Sequence, residues 1–283
     1  MKIIQTFAQF NEGSPYMQND NNKKKIYLNF YTFLLSYLTL KKYYGNVTMY
    51  CNQKAYDTFI KYIPYDEIII KENKNDIDFW NVYKIDMMKL QNEDFIHVDS
   101  DVFIFDDLFK NFIDGHYDMM VQDIIPPSEN FVKDFYWDNY SYLTNGSLSL
   151  SGSYDNRCVS CGTFGMKKHV LDNYFYIVDI IHDAMKRKKL KSVNCQTMIL
   201  EEFMAYLVAL KYNYKIYDIL PYDLVVKHNV RKVGDIVKYT HLWTNSKFKD
   251  DMVAKVKNKI KKDFPDKFSL VNFYDRNIYN KVR

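Results

Sequence analysis

The sequence predicts an α/β protein in which a mostly parallel central sheet carries helices on both faces. In the first hundred residues, short apolar runs alternate with amphipathic stretches of about ten to sixteen residues. This alternation is typical of parallel sheets, because a crossover helix has to connect neighbouring parallel strands. Neither an internal repeat nor a convincing linker divides the sequence, which predicts one main domain.

Each element is predicted from hydrophobic periodicity and from the polar residues that bound it. The predicted strands are Lys2–Ala8, Asn46–Cys51, Asp66–Lys71, Phe95–Val98, Tyr117–Asp123, Cys158–Met166, Lys215–Leu220 and Asp235–Trp243. The predicted helices are Asn29–Tyr44, Gln53–Tyr62, Phe79–Leu90, His169–Lys189, Thr197–Leu210 and Asp250–Phe264. Between the fifth and sixth strands, the run Tyr140–Asn156 is rich in Ser, Asn and Gly and predicts a loop.

Composition narrows the class of protein. A formal net charge of +4 is small for 283 residues and does not indicate nucleic-acid binding. The four cysteines, Cys51, Cys158, Cys161 and Cys195, include one CxxC but no second pair at zinc spacing, and they are expected to be free thiols in a reducing compartment. No stretch has the length and apolarity of a membrane span, and the N-terminus lacks a signal-peptide pattern. We therefore expect a cytoplasmic protein.

The segment "FIHVDSDVFIFDDL" (Phe95–Leu108) places acidic residues at the end of an apolar strand. Asp99 and Asp101 are two positions apart, so an extended chain would direct both carboxylates to the same side. Ligands of open parallel sheets bind beyond the carboxyl ends of the strands. Two neighbouring carboxylates repel each other unless a cation lies between them, which favours Mg²⁺ or Mn²⁺. A solvated, Asp-rich turn is the alternative interpretation.

This strand and its "DSD" resemble the DxD region of GT-A glycosyltransferases. Upstream, "NVYKIDMMKLQNEDF" resembles the helix that precedes DxD in the glycogenin-like family, where a Tyr or Ser and the next basic residue reach the nucleotide sugar. The matching residues here are Tyr83 and Lys84. Downstream, "HLWTNSK" resembles the family's His-x-x-Gly-x-x-Lys motif, with Thr244 in place of Gly. The resemblance implies that His241 completes the metal site and that Lys247 contacts the diphosphate.

Two further stretches resemble GT-A elements. "VSCGTFGM" is similar to a strand that lines the sugar pocket and retains Gly162. "QTMILEEFMAYL" is similar to a late helix that carries an acidic residue or Gln beside the reacting carbon, which makes Gln196, Glu201 and Glu202 candidates, Glu202 being preferred. We also expect four residues at the strand ends to bind the nucleotide: Thr6, Phe7, Ala8 and Ser100.

The resemblance implies a Rossmann-like GT-A fold over residues 1–250, with a nucleotide-sugar half (1–110) and an acceptor half (111–250). The implied reaction is the metal-dependent transfer of a hexose from a nucleoside-diphosphate sugar, UDP-linked as the resemblance implies, to an acceptor hydroxyl. The implied cofactor is Mn²⁺ or Mg²⁺. The partner would be a glycan, a lipid-linked acceptor or a protein. The resemblance favours retention of configuration, but the residues themselves leave the stereochemistry open.

Residues 251–283 are expected to form a basic amphipathic helix and a tail. Val253, Val256, Ile260 and Phe264 lie on one face of that helix, among many lysines. Such a helix either packs on the domain or contacts an anionic membrane. In the second case the protein would lie at the inner membrane face.

Other functions fit parts of the sequence. A haloacid-dehalogenase-like phosphatase also ends a strand in Asp-x-Asp, but it would need a later acidic cluster that "GDIVK" at Gly234 does not supply. A nucleotidyltransferase would need a Gly-rich loop after the first strand, where "AQFNEGSPY" has one Gly. A catalytically inactive GT-A fold that acts as a binding module is the third alternative.

Overall fold

The computed structural model describes residues 1–9, 23–72, 81–125, 138–144, 157–188, 198–242 and 247–280. The strands within these residues are β1 (Lys2–Phe7), β2 (Val47–Cys51), β3 (Glu67–Ile70), β4 (Phe95–Val98), β5 (Val102–Ile104), β6 (Met119–Ile125), β7 (Cys158–Met166), β8 (Ile216–Leu220) and β9 (Tyr239–His241). Seven of them form one sheet in the order β3-β2-β1-β4-β7-β6-β8, and β5 pairs with β9 in a second sheet.

The helices within the described residues are α1 (Lys23–Tyr44), α2 (Gln53–Thr58), α3 (Val82–Lys89), α4 (Lys110–Ile113), α5 (Asp138–Thr144), α6 (Lys168–Arg187), α7 (Met204–Tyr212), α8 (Tyr222–Lys227), α9 (Val230–Val237), α10 (Asp250–Asp263) and α11 (Phe268–Tyr274). Short 3₁₀ turns span Ile60–Tyr62 and Pro265–Lys267, and π-helical turns span Ile199–Phe203 and Asp275–Tyr279. Within the described part of the chain, none of these helices has the length and hydropathy needed to cross a membrane.

The predicted fold class is confirmed. The pairs β1–β2, β2–β3 and β6–β8 are parallel, whereas β6–β7 is antiparallel, so the central sheet is mostly parallel. Every residue of β2 and β4 is buried, as expected for strands that helices cover on both faces. The free thiols Cys51, Cys158 and Cys161 are buried as well.

Internal contacts divide the chain into two compact units that interleave in the sequence. Unit A comprises residues 1, 79–97 and 108–237, and unit B comprises residues 2–78, 98–107 and 238–283. Unit A contains β6, β7 and β8, and unit B contains β1, β2, β3 and the β5–β9 pair.

In unit B, the C-terminal segment packs on α1. The rings of Phe30 and Tyr274 stack at 3.7 Å, and the Tyr31 hydroxyl donates a hydrogen bond to Asp275. Val253, Val256 and Ile260 of α10 are buried, and α10 contacts α1. The apolar face of the predicted basic helix is therefore covered within the unit, and a membrane contact through α10 would have to use its lysines alone.

Some predicted elements differ from the structure. The expected strand Asp235–Trp243 begins as helix α9, which ends before Lys238; this residue has a positive φ of 67° and leaves only Tyr239–His241 to pair with β5. The expected loop Tyr140–Asn156 begins inside helix α5, because Tyr140, Leu143 and Thr144 share a buried helical face. Residues 145–156 lie outside the described residues.

Candidate metal centre and the buried ion pair

Backbone hydrogen bonds in unit B hold the DSD segment (Asp99–Asp101) next to His241. Asp99 to Asp101 form a turn instead of the expected extended strand end, and the Val102 amide closes it by donating to the Asp99 carbonyl at 3.0 Å. Strand β5 starts at once and runs antiparallel to β9, with Val102 opposite His241. The Leu242 amide extends this ladder to the Asp101 carbonyl at 3.0 Å. Strand register therefore fixes Asp101 beside His241.

One ligand atom from each of Asp99, Asp101 and His241 lies within 4.8 Å of the others. His241 Nε2 lies 3.4 Å from Asp101 Oδ1, and both side chains are nearly buried. Octahedral ligands at about 2.1 Å from a Mg²⁺ ion are at most about 4.2 Å apart, so small side-chain rotations would close this triangle on an ion. Two carboxylates and an imidazole suit Mn²⁺ or Mg²⁺ and leave coordination positions open for phosphate oxygens.

Lys247 reaches the same carboxylate. Its Nζ donates to Asp101 Oδ2 at 2.6 Å, the short distance expected of a charge-assisted hydrogen bond. Burial by itself would raise the pKa of Asp101, but the Lys247 charge and the contact with His241 outweigh this effect and hold that pKa well below its usual range. Asp101 is therefore ionised at neutral pH and can bind a cation.

The predicted nucleotide-binding residues of unit B lie in different environments. Thr6 and Phe7 end β1 and Ala8 follows it; all three are partly exposed, although the Phe7 ring packs edge-on against Phe33 at 5.1 Å. Ser100 is buried inside the DSD turn, and no described residue hydrogen-bonds its Oγ.

Sequence reasoning missed Asn52, which holds the backbone after β1. Its side chain accepts from the Gln9 amide at 3.1 Å and donates to the Gln9 carbonyl at 2.9 Å, while it also caps α2 through the Ala55 amide at 3.0 Å. The signal in the sequence was an Asn directly after a buried strand, at the N-cap of a helix.

In unit A, two of the predicted site residues contact each other. Lys84 on α3 forms an ion pair with Glu201, and both side chains are only 6% exposed. Lys84 Nζ also donates to the Cys161 carbonyl of β7 at 3.0 Å, next to buried Gly162. Burying either charge alone would be costly, so each ion stabilises the other.

His97, at the end of β4, shares this environment. It is fully buried, and burial together with the nearby Lys84 charge lowers the pKa of its imidazole well below the ordinary value. The imidazole is therefore neutral at physiological pH. Tyr83, adjacent to Lys84, is also buried.

Glu201 and Glu202 lie in the π-helical turn Ile199–Phe203 that leads into α7. The Tyr174 hydroxyl donates to the Leu200 carbonyl at 3.3 Å and the Phe203 ring contacts Tyr140, so the turn is anchored on both sides. Glu202 is less buried than Glu201. Such π turns occur frequently at functional sites. Gln196 lies outside the described residues, as do Thr244 and Trp243.

The structure thus forms two groups from the predicted site residues. Asp99, Asp101, His241 and Lys247 come together in unit B. Lys84 and Glu201 come together in unit A.

Among solved structures, the chain is similar to the apo structure of the bifunctional glycosyltransferase WbbM, with a TM-score of 0.51 and 10% identity. The match covers 96% of this chain and 51% of that one, so this chain spans about half the length of that protein. The inositol-1-phosphate CTP transferase from T. maritima has a TM-score of 0.45 and 11% identity, over 93% of this chain and 96% of that one. A glycosyltransferase involved in glycosylation of the major capsid of PBCV-1 has a TM-score of 0.38 and 14% identity, over 86% and 96%.

The fold assignment rests on the first of these likenesses, together with the mostly parallel sheet, and both agree with the predicted Rossmann-like GT-A fold. No curated protein matches the sequence. Residues 1–273 match the family described as "Family of unknown function (DUF6734)", and the chain therefore belongs to that family.

Proposed function

We propose that this chain is a metal-dependent glycosyltransferase that moves a hexose from a nucleoside-diphosphate sugar, UDP-linked in our proposal, to an acceptor hydroxyl. The observation that carries the proposal is the convergence of Asp99, Asp101 and His241, from two distant parts of the sequence, within a GT-A-like fold. The alternative, a solvated acidic turn, does not explain why the pairing of β5 with β9 places an imidazole beside the two carboxylates.

Asp99, Asp101 and His241 would hold the cation, which when bound neutralises charge on the leaving diphosphate. Carboxylate and imidazole ligands together favour Mn²⁺ over Mg²⁺. Lys247 would contribute a fixed positive charge to the same diphosphate, since its flexible side chain ends at the edge of the candidate centre. Thr6, Phe7, Ala8 and Ser100 would contact the nucleotide through the strand end and the DSD turn.

We assign Lys84 a positioning role instead of the expected donor contact, because its ammonium is buried against Glu201 and the Cys161 carbonyl. Through these two contacts, Lys84 joins the π turn to the strand that carries Gly162. Glu201 is neutralised in this pair, so Glu202 is our preferred group beside the reacting carbon. Gln196 and Glu201 remain the other two candidates for that position, and the stereochemistry stays open.

The acceptor in this proposal is a glycan, a lipid-linked sugar or a protein. Unit A offers Arg157, whose guanidinium carbon lies 4.5 Å from the centre of the Tyr222 ring. Both side chains are partly exposed, so this pair can shape the acceptor site. We also propose that the protein is cytoplasmic, because its cysteines are expected to be free thiols in a reducing compartment.

Incubation of the full chain with a panel of UDP-sugars and Mn²⁺ tests the proposal. We expect slow donor hydrolysis that stops with EDTA and falls by at least about a hundredfold in D101N, because a lost metal ligand removes several kcal/mol of charge stabilisation. D107N is the matched control, since Asp107 is exposed and lies in the same segment.

Other outcomes identify the alternatives. Release of phosphate from simple phosphomonoesters would replace the proposal with a phosphatase, and formation of pyrophosphate from a nucleoside triphosphate would replace it with a nucleotidyltransferase. Nucleotide-sugar binding without turnover, for every donor and acceptor, would indicate a binding module.

A further inference from the structure

The positively charged side chain of Lys247 lies in the candidate metal centre and contacts one of its proposed ligands. Lys247 Nζ lies 2.6 Å from Asp101 Oδ2, while the second oxygen of the same carboxylate faces His241 at 3.4 Å. Lys247 is 23% exposed and Asp101 13%, so this ion pair is only partly screened by water. The carboxylate that we assign to the metal is therefore paired with a lysine of the same unit.

The Lys247 ammonium and a metal ion would compete for the Asp101 carboxylate. A divalent ion bound to Asp101 would lie within a few ångströms of the Lys247 ammonium, and like charges at that distance repel each other strongly. An ammonium already bonded to a carboxylate also reduces the negative charge that this carboxylate can offer to a metal. Lys247 should therefore weaken the binding of a metal ion in the absence of a nucleotide.

A diphosphate would relieve this competition. Lys247 has a long, flexible side chain whose ammonium can exchange one anionic partner for another without changing its backbone. Its Nζ lies 5.5 Å from the centre of the Phe248 ring, and Lys25 Nζ lies 5.9 Å from the same ring. Two ammonium groups at one aromatic ring concentrate positive charge beside the candidate centre, which favours the approach of an anion.

We propose that Lys247 is a partner-switching lysine that couples metal binding to nucleotide binding. Without nucleotide, Lys247 pairs with Asp101 and keeps the affinity for the metal low. When a nucleoside diphosphate binds, Lys247 moves to the phosphates and leaves Asp101 to the metal. This inference rests on the proposed function, because it takes Asp99, Asp101 and His241 as the metal ligands.

The proposal predicts effects of opposite sign in two titrations. In K247M, Mn²⁺ alone should bind about tenfold more tightly, as expected when a hydrogen bond between charged groups no longer competes. In the same variant, UDP at saturating Mn²⁺ should bind at least about tenfold more weakly, because one charge-assisted contact to the diphosphate is lost. A lysine that only supports the local structure would weaken both ligands, and one that only contacts phosphate would leave the Mn²⁺ affinity unchanged.

The experiment uses the full chain. The signal of free Mn²⁺ in electron paramagnetic resonance measures metal binding without nucleotide, and calorimetry measures UDP binding in saturating Mn²⁺. K249M is the matched control, since Lys249 is exposed two positions away and carries the same charge; both of its affinities should stay within about twofold of wild type. K247R keeps the charge and should keep the weak wild-type affinity for Mn²⁺ alone, which tests the inference independently of the folding of K247M.

Failure of the inference differs from failure of the proposed function. If wild type and K247M bind Mn²⁺ alone equally, or K247M binds it more weakly, the partner switch is wrong while the metal centre stands. If K247R gains Mn²⁺ affinity, the charge of Lys247 is not the cause and the switch is likewise wrong. If wild type binds neither Mn²⁺ nor UDP, together or separately, the metal centre itself is refuted.

Discussion

Removal of one partner from the buried Lys84–Glu201 pair should destabilise the protein strongly. Both side chains are 6% exposed, so K84M would leave the Glu201 carboxylate inside unit A without its ammonium partner. Breaking a buried ion pair in this way costs about 3–5 kcal/mol. For a protein of this size, a loss of that magnitude lowers the melting temperature by about 6–20 °C.

The double variant K84M/E201Q separates this effect from a general loss of packing. Neutral side chains at both positions remove the buried charge, so we expect the double variant to recover at least about 2 kcal/mol relative to the sum of the single changes. Urea unfolding followed by far-ultraviolet circular dichroism gives the four free energies of unfolding.

A surface ion pair whose lysine lies on the same helix, α3, supplies the control. Lys89 pairs with Asp179, but these side chains are 29% and 55% exposed, so K89M should change the free energy of unfolding by less than about 1 kcal/mol. The reasoning would be refuted if K84M were as mild as K89M, or if the double variant were as unstable as the two single changes added together.

Three further predictions concern stability and reactivity. Y274A should cost about 3–5 kcal/mol, because it removes a ring stacked at 3.7 Å on Phe30, whereas F273A, at a half-exposed neighbour, should cost less than about 1 kcal/mol in the same urea assay. G165A should destabilise by about 1–3 kcal/mol in thermal melts, since its new methyl carbon would lie 2.8 Å from the Phe112 ring; an unchanged melting temperature would contradict this packing. Burial raises the pKa of Cys51 to about 12, with a contribution from Glu72, so the unfolded chain loses this proton first and stability should fall as pH rises above about 8.5. Alkylation at pH 8, mapped to Cys51 by mass spectrometry, should therefore require urea, and rapid labelling of the native protein would contradict the prediction.

Local patterns in the sequence were sufficient for most of the sheet. Strand β7 was predicted with the same bounds that the structure has, and β4 likewise, because each is a mainly uncharged, apolar-rich segment with a charged residue at either end. The proximity of Asp99 and Asp101 was also predictable, although the reason was wrong. The two carboxylates meet across a tight turn, closed by the Val102 amide, and not along an extended strand.

The errors arose where long-range contacts decide the local structure. Residues Asp235–Trp243 alternate like a strand, but their first part forms helix α9, since the pairing with β5 starts only at Tyr239. The same pairing places His241 beside Asp101, and no local pattern encodes this register. Only the resemblance to a known motif suggested that these two residues would meet.

The pairing of Lys84 with Glu201 was hidden from sequence analysis for the same reason. Each residue was a separate candidate site residue: Lys84 lay on the predicted helix Phe79–Leu90, and Glu201 lay on the predicted helix Thr197–Leu210. The contact depends on how α3, β7 and the π turn pack within unit A. A buried charge does signal that a partner must exist, but the sequence does not say which residue it is.

Pulsed electron paramagnetic resonance of the Mn²⁺–UDP complex tests the central claim most directly. If Asp99, Asp101 and His241 converge on one ion, the wild-type spectrum will contain a nitrogen coupling from a directly bound imidazole, and H241Q will bind Mn²⁺–UDP without that coupling. A spectrum without imidazole coupling in the wild type, or the same coupling in H241Q, would contradict the account.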